Sequence, residues 1–108
     1  LQPPTSMASA AKQVVHMVWF KWPQVTSQKL ALCQEAAKKL ATIEGVLNVE
    51  FGTNFTDRSR DFNLGLYVRF TDKAALDYYV PHPTHEEFKA TVVEKEDVMA
   101  MDFEVDAI

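Results

Sequence analysis

Two tyrosines and two histidines stand within eight positions of one another, at Tyr78, Tyr79, His82 and His85. An imidazole is the side chain best suited to moving a proton near neutral pH, and a phenol hydroxyl can donate a hydrogen bond to a developing oxyanion. Together these residue types could carry out acid–base chemistry on a carbonyl substrate. Clustered titratable groups also occur at purely structural corners, so a structural role for both imidazoles stays open.

Two prolines force the chain to turn between these side chains. Pro81 and Pro83 each disfavour a helical conformation at the residue that precedes them. Pro83 also suits the first turn of a new helix. We therefore predict two helices that meet at a rigid corner, with Tyr79 at the end of one and His85 at the start of the next, both facing one apolar cavity.

The third histidine lies in a stretch with the composition of a strand. Residues 14–22 are rich in β-branched and aromatic side chains, which is typical of a strand covered on both faces. Because side chains alternate along a strand, His16, Val18 and Phe20 share one face. His16 could orient a substrate in the predicted cavity, or it could be a core histidine with hydrogen-bonded ring nitrogens. Both interpretations stay open on residue type alone.

The rest of the chain alternates between helical and strand patterns. Thr26 or Ser27 can cap a helix whose apolar stripe includes Cys33, so we expect a packed thiol there and not a nucleophile. Gly45 suits the end of that helix because glycine tolerates the left-handed conformation. We predict strands at residues 46–51, 64–70 and 98–105, helices at 73–79 and 84–94, and a solvated loop at 53–63.

The predicted order is β-α-β-β-α-β, with prolines breaking the second helical element. This order is typical of the ferredoxin-like α+β fold, a four-stranded antiparallel sheet with helices on one face. The other face would carry Met17 and Trp19, and a second copy of the chain is the simplest cover for such apolar side chains. We therefore expect residues 13–108 to form one domain of a homodimer.

The start of the chain has a different character. Residues 1–12 lack apolar periodicity, and we expect them to be a disordered segment. Met7 followed by small residues looks like a natural start, so we interpret residues 1–6 as a leftover of expression.

Composition excludes several classes of protein. The 108 residues include 47% hydrophobic and 24% charged side chains, which is ordinary for a single globular domain. A net charge of -4 argues against a nucleic-acid partner, and no apolar run reaches the roughly 18 residues of a membrane span. A single cysteine excludes an internal disulfide and no secretory signal is evident, so we expect a cytoplasmic location.

Several of these features together resemble one family. His16 in the first strand, Gly45 before the second, Phe70 at the end of the third and the run of residues 79–85 are similar to the stress-responsive A/B barrel (Dabb) family. The similarity extends over about residues 14–105, and the combination of Tyr-x-x-His-Pro-x-His with the first-strand histidine is its most specific part. The resemblance implies a homodimeric, ferredoxin-like α+β barrel.

The family includes a plant polyketide cyclase, olivetolic acid cyclase, which closes a linear tetraketide by an intramolecular aldol condensation without metal or organic cofactor. The resemblance implies that Tyr79 and His85 are the catalytic residues. It also implies a substrate site lined by His16, Val18, Phe20 and His82.

The sequence differs from that cyclase at positions that would contact the substrate. Pro81 stands where the cyclase has an aliphatic residue, and the first helix offers Leu30, Leu32 and Cys33 in place of an aromatic wall. The catalytic pair could therefore carry over while the substrate does not.

Three functional hypotheses follow. The first is cofactor-free acid–base catalysis on a polyketide-like small molecule, of polyketide cyclase type or of the related type of passion-fruit hydroxynitrile lyase, with His85 as base and Tyr79 as hydrogen-bond donor. The alternative is a non-catalytic stress-response or structural dimer. A metal site could be built from His16, His82 and His85, but the sequence shows no ordered acidic second shell. We therefore expect no metal and no cofactor.

Overall fold

The computed structural model describes residues 12–106 of the chain. The described elements are β1 (Gln13–Lys21), α1 (Ser27–Leu40), β2 (Val46–Thr53), β3 (Leu64–Phe70), α2 (Lys73–Tyr79), α3 (Pro83–Thr91) and β4 (Asp97–Val105). Residues 1–12, which we expect to be disordered, lie outside this range except for Lys12.

The four strands form one antiparallel sheet in the order β2-β3-β1-β4. The two central strands, β1 and β3, carry the β-branched and aromatic residues that favour a sheet interior. The predicted ferredoxin-like α+β fold is thus confirmed. The register places His16 of β1 between Val68 of β3 and Asp102 of β4, so these three side chains share one face of the sheet.

The hydrophobic core lies between the sheet and the helices. Helix α1 buries Cys33, Ala37 and Leu40, and α3 contributes Phe88. Cys33 is fully buried, as predicted for a packed thiol. On β3 the buried positions alternate, as they should when one face of a strand is packed against helices and the other is not.

The opposite face of the sheet, here called the outer face, carries exposed apolar side chains. Trp19 is 42% exposed and Met101 is 62% exposed. Met17, Met99 and Phe103 lie on the same face by register. The prediction that this face exposes Trp19 and its neighbours is confirmed, and it leaves several apolar side chains in contact with solvent.

Several predicted details of the helices were wrong. Helix α1 ends at Leu40, well before Gly45, and α3 ends at Thr91 instead of Glu94. Leu32 points away from the core and is 62% exposed, so it forms no wall of the site. A helical spacing of apolar residues predicts the presence of a helix but not its last residue, because the residues at a helix end often form tight turns.

Gly45 is required by the turn before β2 and not by the end of α1. It lies in the turn that leads into β2 with a φ of +92°, in the left-handed region. A Cβ at this position would stand 2.5 Å from the Cβ of Ala75 on α2. The glycine therefore allows the turn and also allows α2 to approach the sheet closely.

Candidate functional site

The corner between α2 and α3 positions the predicted catalytic pair. Helix α2 starts where the Asp72 side chain accepts a hydrogen bond from the Ala75 backbone N–H (2.9 Å), and it ends at Tyr79. Pro83 opens α3, and the Nδ1 atom of His82 caps that helix by accepting from the Thr84 N–H (3.1 Å). The two-helix corner predicted from the prolines is confirmed.

The corner brings Tyr79 and His85 into direct contact. Their rings stack, with centroids 4.2 Å apart and planes inclined by 28°. Phe70 of β3 packs edge-on against the tyrosine at 4.9 Å, and His16 of β1 lies 5.8 Å from it. Three of the residues singled out in the sequence therefore form one cluster on the helix side of the sheet.

The Tyr79 hydroxyl has no hydrogen-bond partner within residues 12–106. The side chain is fully buried, and its oxygen is inaccessible to solvent. Burying a hydroxyl without a partner costs about 1–3 kcal/mol, so the position is unfavourable for stability alone. Burial also raises the pKa of Tyr79, so the hydroxyl keeps its proton and is available as a donor.

His85 is held as a neutral base. Burial lowers its pKa from 6.5, outweighing the opposite effect of its hydrogen bond to Val80. Because the carbonyl oxygen of Val80 can only accept, the Nδ1 atom of His85, 2.9 Å away, must carry the ring hydrogen. The lone pair is then on Nε2, which leaves that atom free to remove a proton.

His16 forms a hydrogen bond with Asp102, a residue that the sequence reasoning missed. The carboxylate accepts from Nδ1 of His16 across the β1–β4 register. The His16 side chain is mostly buried, while that of Asp102 is about half exposed. A carboxylate in this place fixes the tautomer and orientation of the ring, as carboxylates behind functional histidines do. Only a correct register for β4 could have indicated this contact.

The other predicted site residues lie in less direct positions. Val18 and Phe20 are buried on the same face as His16, and Phe20 packs edge-on against Phe88 at 6.0 Å. His82 contacts Thr84 as a helix cap and Tyr78 at 5.5 Å, on the outside of the corner. These contacts give His82 a structural role as the cap of α3.

No three His, Cys, Asp or Glu side chains cluster closely enough to hold a metal ion within residues 12–106. His82 in particular is engaged at the cap of α3. The three-histidine arrangement considered from the sequence does not form in this structure.

The comparison of the sequence with known families agrees with the fold. The profile of the Stress responsive A/B Barrel Domain (Dabb) matches residues 14–105, nearly the whole chain. The chain belongs to the Dabb family. The Tyr79, His85 and His16 cluster therefore lies entirely within a Dabb domain. A search of curated protein sequences finds no match.

Solved structures of the same fold include other Dabb proteins. A Dabb family protein from Mesorhizobium loti is 27% identical, with a TM-score of 0.72 over 85% of this chain and 95% of its own. A dimeric ferredoxin-like protein from Bacteroides fragilis is 28% identical, with a TM-score of 0.73 over 86% and 96%. Hydroxynitrile lyase from Passiflora edulis is 17% identical, with a TM-score of 0.77 over 90% and 96%.

The helices of this Dabb domain are short and amphipathic. In the part of the chain that the structure describes, none is long and apolar enough to cross a membrane.

Proposed function

We propose that this Dabb domain is a cofactor-free acid–base catalyst of polyketide cyclase or related lyase type. The observation that carries the proposal is the stacked pair of Tyr79 and His85, in which a buried hydroxyl without a partner lies against a neutral imidazole. Such an arrangement is unfavourable for packing alone, whereas a donor and a base side by side suit enolate chemistry.

The proposed reaction is an intramolecular aldol closure. Nε2 of His85 removes a proton from a carbon between two carbonyl groups, and the electron pair moves to the adjacent oxygen as an enolate. The Tyr79 O–H donates a hydrogen bond to that oxygen. The enolate carbon then attacks a second carbonyl of the same chain, and the resulting alkoxide takes the proton back from His85, so that base and donor are regenerated.

Access to this pair is proposed from the β4 side of the helix layer. Asp102 is exposed at the rim, His16 lies behind it, and Tyr79 lies deepest. A polyketide-like substrate would first meet the His16–Asp102 pair, which could orient one of its carbonyls. Because the Tyr79 hydroxyl is inaccessible to solvent, a substrate must displace neighbouring side chains to reach it. The substrate would then supply the missing hydrogen bond.

We also propose that the catalyst is a homodimer that pairs through the outer face of the sheet. Trp19 and Met101 leave that face apolar and exposed, and the relative from Bacteroides fragilis is described as dimeric. The lyase variant of the reaction is supported by the shared fold of the Passiflora edulis enzyme. In that variant the same base would take the hydroxyl proton of a cyanohydrin, and cyanide would leave as the carbonyl forms.

Two substrates test the proposal with the purified full chain. A linear poly-β-keto thioester is followed by ultraviolet absorbance for ring formation and by mass spectrometry for the water that the aldol adduct loses on dehydration. Mandelonitrile is followed by the absorbance of released benzaldehyde. Turnover of either that falls by about 10²–10⁴-fold in Tyr79→Phe and in His85→Ala supports the catalytic pair. Turnover that survives both substitutions would overturn it.

A second candidate, a non-catalytic stress or structural dimer, is favoured by one observation. The Tyr79 ring is fully buried and packs edge-on against Phe70, as an ordinary core aromatic would. In this case neither substrate would be turned over, and Tyr79→Phe would change only stability.

A further inference from the structure

One row of residues on the outer face has no side chains on one half and large side chains on the other. Gly52 of β2 pairs with Gly65 of β3, and the same row continues to Trp19 of β1 and Met99 of β4. These four residues help to line a cleft of about 740 Å³. Glycine within a strand often marks a place where another molecule approaches the backbone closely.

The two glycines leave space that the chain itself does not fill. A Cβ built on either of them would meet no heavy atom within 4 Å, and neither has a left-handed backbone. The fold therefore does not require glycine at these positions. The large side chains of the row stay exposed beside this space, since Trp19 is 42% and Met99 is 47% accessible to solvent.

The order of the strands makes this row complementary to itself. Because the sheet runs β2-β3-β1-β4, a two-fold axis parallel to the strands and midway between β3 and β1 exchanges β3 with β1 and β2 with β4. Such a rotation keeps each residue at the same position along the strands. Gly65 of one copy then faces Trp19 of the partner subunit, and Gly52 faces the partner subunit's Met99. Each copy thus supplies a large side chain where the other has none.

The polar side chains of β3 can be covered in this arrangement, because they are hydrogen-bonded within their own chain. Nε of Arg69 donates to the Tyr67 hydroxyl (2.9 Å), and Nη1 of Arg69 donates to Oε1 of Gln13 (2.8 Å). Covering a polar group costs much less when it already has a hydrogen-bond partner. Glu50 lies on the edge strand β2, where the rim of a contact between subunits stays in contact with water.

Charges at one end of the sheet favour the same axis. Arg58 and Arg60 line the cleft from the loop between β2 and β3, and Asp97 begins β4 on the outer face at the same end. None of these three forms a salt bridge within residues 12–106. The rotation brings the loop of one copy over the start of β4 of the other, so that opposite charges face each other.

An axis across the strands is less favourable. If it passed through the row of Glu50 and Tyr67, it would set Glu50 against Glu50 of the partner subunit. Like charges directly opposite one another are destabilising.

We propose that Trp19 of each copy lies over Gly65 of the partner subunit, so that the second copy fills the cleft. The inference rests on the homodimer proposed above and adds the position of its two-fold axis. It does not depend on the catalytic pair, which lies on the other side of the sheet.

Two variants with opposite defects test this contact by sedimentation. Gly65→Phe should fill the cleft and dissociate the dimer, because a phenyl ring would then collide with Trp19 at both contacts. A side chain larger than that of alanine is needed because the cleft is much larger than one methyl group. Trp19→Ala should leave the cleft empty and weaken the dimer at least about tenfold.

An equimolar mixture of the two variants should form a heterodimer. The phenyl ring of one chain then lies over the alanine of the other, while the second cleft receives its Trp19 as in the original dimer. This rescue requires that position 19 of one copy meets position 65 of the other. Folding of each variant is checked by circular dichroism.

A disulfide between subunits provides a second test. Gly52→Cys, Met99→Cys should give a product of twice 12.3 kDa on non-reducing electrophoresis. Within one chain these positions are three strand spacings apart, about 14 Å, so they cannot form a disulfide with each other. Gly52→Cys, Leu32→Cys is the matched control and should stay uncrosslinked, because Leu32 is exposed on α1.

Several results would overturn the proposal. If Gly65→Phe remains a dimer, or if the folded variants form no heterodimer, Trp19 does not lie over Gly65, although the homodimer itself still stands. A monomeric original chain would overturn the homodimer as well. Equal crosslinking of the control pair would also contradict this axis. If Gly65→Phe fails to fold, the disulfide pair decides by itself.

Discussion

Tyr79 differs from the aromatic rings of Phe70 and Phe88 because it carries a polar atom into the core. All three side chains are fully buried, but the two phenylalanines bury only carbon. The Tyr79 hydroxyl has lost its hydrogen bonds to water and has gained none from residues 12–106. Such a group lowers stability, and the proposed substrate would supply the missing hydrogen bond.

Replacing Tyr79 by Phe should therefore stabilise the free protein. Removal of a buried hydroxyl without a partner should raise the free energy of unfolding by about 1–2 kcal/mol, measured by urea denaturation. The same change should lower turnover by about 10²–10⁴-fold. Tyr67→Phe is the matched control, because the Tyr67 hydroxyl accepts a hydrogen bond from Nε of Arg69 (2.9 Å) and its loss should not stabilise. A destabilised Tyr79→Phe would mean that the hydroxyl has a partner in solution.

His85 should make both activity and stability depend on pH. Burial lowers its pKa from 6.5, so the unfolded chain takes up a proton at a higher pH than the folded chain does. Stability should be complete above about pH 6.5 and should fall as the pH drops below it. Turnover should rise with pH as His85 loses its proton, and it should reach its maximum before about pH 7, because the base acts in its neutral form.

The pH effect can be assigned by comparing two histidine variants. Unfolding and initial rates are measured between about pH 5 and 8 for His85→Gln and His82→Asn. His85→Gln should remove the dependence. His82→Asn should keep it, because asparagine can still cap α3. An unchanged pH profile in His85→Gln would show that another group titrates.

At the scale of elements, the approach of α2 to the sheet sets the depth of Tyr79. The helix passes over the turn at Gly45, and Ala75 fits against that glycine. The Gly45 carbonyl also accepts from the Thr71 N–H (3.0 Å) just before the helix. Tyr79 lies one turn beyond Ala75, so this contact fixes where its ring enters the core.

Gly45→Ala should be strongly destabilising. The new methyl would need a left-handed backbone and would collide with Ala75, which together should cost about 2–4 kcal/mol of unfolding free energy. Gly65→Ala is the control, since a Cβ there meets open space and should leave stability unchanged or slightly raised. In the double variant Gly45→Ala, Ala75→Gly, removal of the collision should restore part of the loss. Equal stability of Gly45→Ala and Gly65→Ala would show that α2 is not held by this contact.

At the scale of the whole molecule, the two faces of the sheet have different environments. The helix side is covered over β1 and β3 and contains the Tyr79 cluster, while the outer face leaves Trp19, Met99 and Met101 exposed. An isolated domain with this apolar face should associate with another copy.

Sedimentation of the purified protein should therefore give twice the chain mass of 12.3 kDa. Met101→Glu should shift the species to the monomer, because it places a charge on the apolar face, opposite Met17. Leu32→Glu is the matched control, since Leu32 has the same exposure of 62% but lies on α1. A monomer at micromolar concentration, or dissociation by Leu32→Glu alone, would contradict pairing through the outer face.

The sequence by itself determined the order of the elements and the corner. Strand composition, alternation and the two prolines are local signals, since they act through the conformation of adjacent residues. They were sufficient to predict the ferredoxin-like fold, the helix start at Pro83 and the exposed face with Trp19. The run from Tyr79 to His85 also indicated the family, because its residue types and spacing are distinctive.

Only the tertiary structure decided how the site is built. The partner of His16 is Asp102, far along the chain, and strand register sets that contact. The missing partner of the Tyr79 hydroxyl and the use of His82 as a helix cap depend on packing around each atom. Contacts between distant residues depend on how elements pack, and the local pattern of a sequence does not specify that packing.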